Sequence, residues 1–438
     1  MNLIYNLFLW YGFEAIITSN KYWIFPGAIY SSARIVDEIF ILMILAKIAM
    51  NFPTHGKYIS KSVLLFSTVF LVIIGISGVV NQVSPIVMIE YIIRYGKGLI
   101  IFIYCSMFLN IQRKHLYIFM KYFRRFFLLQ FFINSIWALG VKIIPNDNYY
   151  NVDWAIGTLG NPFSTAIFTA IILSGAFYEF FKRKGISKKR LLNFVFILLC
   201  LIQLFWADTK HLFFVIPLIL LIQLFILNLI KFRTKIIVVL FLAFFSFQFA
   251  TTLPSITHKG NYLQQNYLVG LDLFKTSPKG KAYYHSFNNI PEEVPFGLLG
   301  AGPGKGGSFI GKEDNSYFNY KYFTKYNIPG LRMGNTIMTV PYTGINSIQS
   351  ELGIIGIFLI SIMLLLLLKT MFFNNRYNMI GRYFNHITQI DFIAFFCLLL
   401  YIFENVLVDL LQHTFIPILV WFLVAISFIK YKNIIRII

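Results

Sequence analysis

The chain has 438 residues, of which 58% are hydrophobic and only 13% charged, with a mean hydropathy of +0.70. A soluble domain is nearer a quarter charged, so this composition excludes one and indicates a polytopic membrane protein. The net charge of +21 is then read first as membrane topology, not as a nucleic-acid surface.

Apolar windows long enough to cross hydrocarbon fall near 3–20, 36–50, 62–80, 92–110, 123–143 and 161–181. They continue near 191–207, 211–230, 235–253, 347–368, 388–408 and 413–430. The sequence therefore predicts an all-α integral membrane protein of about twelve transmembrane helices. One large external loop separates spans nine and ten. The second, fourth and seventh windows are short, which predicts tilted or interrupted helices there. The first run has no small-residue cleavage site and reads as a retained span. Cys105, Cys200 and Cys397 all lie in apolar runs, with no CxxC pair and no disulfide framework.

Lysine and arginine set the orientation. Alternate connections carry Lys57 and Lys61, then Arg113 to Arg125, Lys182 to Arg190, Lys231 to Lys235, Lys369 to Arg382, and Lys430 to Arg436. The other short connections hold only Lys21, Arg34, Lys142 and Lys210. The positive-inside rule places both termini in the cytoplasm and the long polar segment outside. This divides the chain into spans one to nine (1–253), an external loop domain (254–346) and spans ten to twelve (347–438).

Charges within spans come next, because hydrocarbon tolerates them only in pairs or beside a cavity. Glu90, Arg94 and Lys97 recur at helical spacing and charge one face of the fourth span. They read either as an internal Glu90–Arg94 ion pair or as a basic lining for an anionic substrate. Asp208 and Lys210 occupy a very short external turn. Glu351 opens the tenth span, where an acid favours the helix dipole. Glu404 and Asp409 close the eleventh on the outer side.

The external segment is net basic and rich in aromatics. Its core reads Phe296-Gly297-Leu298-Leu299-Gly300-Ala301-Gly302-Pro303-Gly304-Lys305. Glycine-rich backbone offers N–H groups to phosphate, and aromatic faces stack on sugars. The plainer reading of the glycines is a flexible turn. The run matches neither a Walker loop nor a dinucleotide fingerprint.

Three local patterns are shared with one family. Gly157-Thr158-Leu159-Gly160-Asn161-Pro162 is similar to a G-x-x-x-N-P turn, and the glycine run to a G-x-G-x-G loop. Gln349-Ser350-Glu351-Leu352-Gly353-Ile354-Ile355-Gly356 is similar to the E-L-G-I-I-G that opens the next span. Together with the span layout, they resemble the O-antigen polymerase and O-antigen ligase family of polytopic membrane glycan-assembly enzymes. The ligases carry a His-Asn pair just before E-L-G-I-I-G, and here 340–346 has no histidine. Asp208-Thr209-Lys210 stands where a Ser-Arg is common. These departures favour a polymerase.

The resemblance implies transfer of a glycan from polyprenyl diphosphate to a hydroxyl of the next lipid-linked repeat unit, at the outer face of a bacterial inner membrane. Lys210, Arg332, Asp208 and Glu351 are the candidate catalytic residues. Arg94, Lys97, Gly300, Gly302, Gly304, Lys305 and Tyr342 are the candidates for binding substrate. Arg94, Lys97, Lys210 and Arg332 supply positive charge for the leaving pyrophosphate. Asp208, Glu351, Glu404, His285 and Asp409 are the candidate bases. The expected partners are the lipid-linked donor and acceptor, the bilayer and a chain-length regulator, with no nucleic acid. No cofactor, nucleotide or metal ion is expected. The alternatives are an O-antigen ligase, another lipid-linked-sugar glycosyltransferase, or a polysaccharide or lipid transporter, although the repeat of two similar halves that a transporter should show is not found.

Overall fold

The computed structural model describes residues 28–56, 59, 61–108, 121–122, 124–133, 135–136, 162–182, 188–206, 212–226, 236–237, 240, 278–294, 296–305, 331–333, 336–338, 343–380, 389–407 and 419–427. Within these, α1 (Ala28–His55), α2 (Lys61–Val80), α3 (Pro85–Phe108), α4 (Pro162–Lys182), α5 (Lys188–Trp206) and α6 (Leu212–Ile226) form the first part of a helical bundle. A short α7 (Pro278–Tyr284) precedes a hairpin of β1 (Leu331–Met333) and β2 (Thr336–Met338), which pair antiparallel. Then follow α8 (Gly344–Ile380) and α9 (Gln389–Leu407). The predicted spans 3–20 and, apart from three helical positions, 235–253 lie outside the described residues.

Four helices among the described residues are long and apolar enough to cross a membrane: Val63–Val80, Phe163–Lys182, Gly344–Lys369 and Gln389–Val406. Their burial separates them into two kinds. Phe163–Lys182 and Gln389–Val406 are 83% and 78% buried, whereas Val63–Val80 and Gly344–Lys369 are 33% and 28% buried. The first pair is central, and the second lies at the perimeter. Leu65, Val72 and Val79 on α2 and Phe358 and Leu365 on α8 are exposed apolar side chains. In water such faces would be a liability, but lipid accepts them.

Two of the windows that looked short belong to full-length helices. The fourth begins at Pro85, seven positions before the apolar window, because Glu90, paired with Arg94 one turn on, is part of the helix. The second extends from Ala28 to His55, with Pro53 tolerated in its final turn. The interrupted helix is instead the tenth span, α8. Its Gly353 has φ +65° and ψ −167°, so 344–352 and 354–380 are two helices in series.

Polar side chains bind the central helices across their faces, as is usual where lipid removes the hydrophobic incentive. Gln389 Nε2 donates to Gly175 O at 2.8 Å, and Gln223 Nε2 donates to Phe392 O at 2.8 Å. Ser427 Oγ donates to Asp391 Oδ1 at 3.0 Å, holding helical residues 419–427 against α9. The Trp421 indole occupies the space that a Cβ at position 98 would need, so Gly98 admits it. Its ring also meets Phe102 and Tyr401 edge-on.

The bundle has two unlike ends. At one, Lys182 lies over Tyr178 at 5.3 Å and Arg190 over Phe180 at 4.6 Å. Arg124 lies over Phe196 at 5.7 Å, and His55 meets Phe108 at 5.3 Å. Here the charged ends of these basic side chains lie over aromatic faces, as cation–π contacts. The opposite end gathers the last turn of α2, the first turn of α8 and the last turn of α9. The glycine run packs there.

Candidate active site

The break in α8 organises this end of the molecule. In a continuous helix, the carbonyls of Ser350 and Glu351 would accept from the N–H groups four residues on. Across the break, Ala301 N donates to Ser350 O at 2.7 Å and Gly302 N to Glu351 O at 3.1 Å. Ser77 Oγ, at the end of α2, lies 3.2 Å from Glu351 O and 2.8 Å from Leu299 O. The freed carbonyls of a membrane helix are thereby satisfied by protein, as hydrocarbon requires.

Only glycine permits this approach. A Cβ on Gly300 would stand 2.6 Å from Gly353 N, and one on Gly353 would stand 2.7 Å from Gly300 N and closer still to Leu298 O. Gly302, at φ +101°, passes 2.8 Å from Asn81 Cβ and Val83 Cγ2 by the same measure. Asn81 Nδ2 donates to Gly300 O at 3.1 Å, and Lys305 Nζ donates to Asn81 O at 2.6 Å. The two glycine motifs are thus the two halves of one backbone joint.

This geometry corrects two expectations for the glycine run. The N–H groups of Gly300, Ala301 and Gly302 are given to Gly297, Ser350 and Glu351 carbonyls, so they do not cradle phosphate. Residues 300–304 are buried and bonded to α2 and α8, so they form a packed wedge and not a loose turn. Gly304 shares its positive φ, at 77°.

A second wall comes from the stretch after α7. His285–Asn289 forms a π turn, in which Ile290 N reaches His285 O one residue further than in an α-helix. Such insertions concentrate at functional positions. The extra residue turns His285 and Ser286 inward, where both are buried. Ser350 Oγ donates to Ser286 Oγ at 3.1 Å, and Ser286 Oγ donates to Ala282 O at 2.8 Å. Thr343 Oγ1 donates to the Tyr283 hydroxyl at 3.2 Å, and that hydroxyl donates to Val406 O. The π turn, the first turn of α8 and the end of α9 are therefore one hydrogen-bonded unit. Burial holds the Tyr283 phenol above its ordinary pKa, against the lowering effect of its Thr343 hydrogen bond.

Burial lowers the pKa of His285 to about 4, partly opposed by the charge of Glu293. The imidazole is then neutral at pH 7, and Asn289 Nδ2 lies 3.4 Å from its Nδ1. Because the folded pKa lies below the ordinary 6.5, the unfolded chain binds the proton first. Stability from this group is complete above pH 6.5 and is lost as pH falls toward 4. Acidification from pH 7 to 4 should cost the parent roughly 2–3 kcal/mol more than His285→Gln. Equal acid sensitivity in detergent melts of the two proteins would refute this.

Glu351 and Glu404 are both fully buried at this end. Asn405 lies against the start of α8, where its Oδ1 takes the space of an absent Cβ on Gly344. Asn346 and Gln349 are buried beside Ser350. The structure brings together Glu351, Gly300, Gly302, Gly304 and Lys305 of the sequence candidates. Arg94 and Lys97 lie farther along α3, about 14 and 18 Å from Pro85 by helical rise. Arg94 is ion-paired with Glu90 one turn before it, which realises the structural reading of those charges. Lys97 is almost completely buried. Arg332 sits opposite Ile337 in the hairpin, and Asp208, Lys210, Tyr342 and Asp409 lie outside the described residues.

Sequence reasoning missed Ser77, Asn81, Asn346, Gln349 and Asn405. Polar residues at the ends of apolar spans were their only signal. Among the described residues, no group of three or more His, Cys, Asp or Glu side chains is placed to hold a metal ion. No protein-family model matches the chain, and no curated protein matches it.

Proposed function

We propose that the protein is a polymerase that joins polyprenyl-diphosphate-linked oligosaccharide repeat units into a surface polysaccharide. One observation carries this reading. The two segments that most resemble the O-antigen polymerase and ligase family, 296–304 and 349–356, are bonded to each other at the break in α8. They enclose Glu351, a buried carboxylate. A buried acid at a helix interruption in a membrane is costly, so a functional site is its default explanation.

In the proposed reaction, an acceptor hydroxyl attacks the anomeric carbon of the donor glycan. Its O–H proton passes to Glu351, and the bond from that carbon to the diphosphate oxygen breaks. Polyprenyl diphosphate leaves with the electron pair. In this proposal Arg94 and Lys97 on α3 are the candidates for neutralising the leaving diphosphate, for which Arg94 would have to give up its ion pair with Glu90. The activated donor supplies the energy, so the reaction consumes no nucleotide.

The finer architecture belongs to the same proposal. It comprises about twelve spans, an external loop between the ninth and tenth, both termini in the cytoplasm and location in a bacterial inner membrane. The basic end of the bundle then faces the cytoplasm and the α8 joint faces out, in keeping with the positive-inside rule. A cysteine at Ser308 should react with an impermeant thiol reagent added outside, and one at Ser187 should not. The native cysteines are all buried, so they contribute little background. The reverse labelling would overturn the orientation.

The function is tested with purified protein in liposomes that hold lipid-linked repeat units. A ladder of lengthening glycan, with one polyprenyl diphosphate released per bond formed, is the expected product. Transfer of a single glycan to a lipid-core acceptor would make the protein a ligase. A discontinuous helix is also found in transporters, and glycan crossing the bilayer with no new bond would establish that reading instead.

A further inference from the structure

We infer that Asn346 and Gln349 form a subsite for sugar hydroxyl groups beneath the π turn. This deepens the glycan reading above and rests on it for the identity of the ligand. Asn346 is fully buried, yet among the described residues neither its Nδ2 nor its Oδ1 has a hydrogen-bond partner. Gln349 is 3% exposed, and its Oε1 is likewise unpartnered. Buried amides are almost always satisfied, so two in adjacent turns of one short helix need a cause.

Helical spacing puts Asn346, Gln349, Ser350 and Gly353 on a single stripe of α8. Ser350 fixes which way the stripe faces, because its hydroxyl donates to Ser286 in the π turn. Gly353 fixes it again one turn on, through its contact with Gly300. The unpartnered amides therefore lie along the wall shared by α8 and the π turn.

The chemistry of the unpartnered atoms selects the ligand. A cation would use the amide oxygens and leave the Asn346 N–H groups without acceptors. An anion would use the N–H groups and leave the oxygens without donors. A hydroxyl both donates and accepts, so a sugar bearing neighbouring hydroxyls satisfies Asn346 and Gln349 together. Both Asn346 atoms are unpartnered, so this argument holds whichever way its amide is oriented.

The test uses full-length protein in detergent and the free oligosaccharide released from the lipid-linked repeat unit by mild acid. Asn346→Leu and Gln349→Met keep side-chain size and remove the amides. Affinity for the oligosaccharide should fall roughly tenfold or more in Asn346→Leu and less in Gln349→Met. Without ligand both variants should melt at or above the parent, because an unsatisfied buried amide is gone. Gly75→Ala, where a Cβ would meet nothing within 4 Å, should bind as the parent does.

Unchanged affinity in Asn346→Leu would overturn the subsite, leaving ordered water as its occupant. A marked fall in the unliganded melting temperature would also overturn it, by showing a structural role for the amide. If the parent polymerises repeat units in liposomes but does not bind the oligosaccharide, the subsite fails and the polymerase reading stands. If binding depends on Asn346 but no polymer forms, the subsite stands and the polymerase reading fails.

Discussion

Gly353→Ala should leave little folded protein in the membrane, whereas Gly75→Ala should leave the amount unchanged or slightly raised. At Gly353 the backbone has φ +65°, and a side chain there meets Leu298 O and stands 2.7 Å from Gly300 N. This region of backbone space is essentially confined to glycine and costs a residue with a Cβ about 1–3 kcal/mol. The larger loss comes from the backbone it must displace. Moving 298–300 breaks the bonds from Ala301 and Gly302 to the Ser350 and Glu351 carbonyls and strands those carbonyls in a dry interior. We expect a total near 3–5 kcal/mol, in the upper tail for a single substitution. Gly300→Ala should behave alike, since its Cβ would stand 2.6 Å from Gly353 N. Gly75 makes no such contact, and alanine suits a helix interior better by roughly 0.5–1 kcal/mol. The measurement is folded protein recovered from membranes, followed by thermal unfolding in detergent. Near-parental stability in Gly353→Ala would show that the joint is looser than its geometry.

What could be read in the sequence follows from how far each signal reaches along the chain. The apolar windows at 62–80, 161–181 and 388–408 become α2, α4 and α9 almost at the predicted bounds, because helix hydrophobicity is a local property. The start of α3 was hidden for the same reason. The apolar window opens at 92, past Glu90, yet Glu90 pairs with Arg94 within the helix and so continues it. The break in α8 was hidden more deeply. Read alone, Glu351-Leu352-Gly353-Ile354-Ile355-Gly356 is ordinary helix, and its interruption depends on Gly300 and Leu298 from a distant segment. The glycine run was legible as special but not as fixed, since loose and wedged glycines look identical in sequence. Glu351, Glu404 and His285 were legible as candidates because titratable groups stand out in an apolar chain. Asn346 and Gln349 look like any polar residue at a span end, and what singles them out is burial without partners, among the described residues, in adjacent turns of one helix.

Glu351→Gln should abolish most polymer formation while leaving folded protein near the parental amount. The two effects separate because different parts of the residue do different work. Its carbonyl accepts from Gly302 N and Ser77 Oγ at the helix break, and glutamine keeps that carbonyl. The carboxylate is the proposed base, and an amide cannot take a proton from an attacking hydroxyl. Loss of a general base typically lowers turnover by about 10²–10⁴-fold. Glu351→Asp shortens the reach but retains the carboxylate, so it should keep more activity than glutamine does. Ser77→Ala acts on the same carbonyl from the other side and should lower stability rather than abolish the chemistry. Turnover is read in the liposome assay as polyprenyl diphosphate released per enzyme, with abundance measured in parallel. Glu404→Gln gives the decisive comparison, because Glu404 is equally buried at the same end of the bundle. If Glu404→Gln stops turnover and Glu351→Gln leaves it within a few-fold of the parent, the base belongs to α9. The break in α8 would then serve architecture alone.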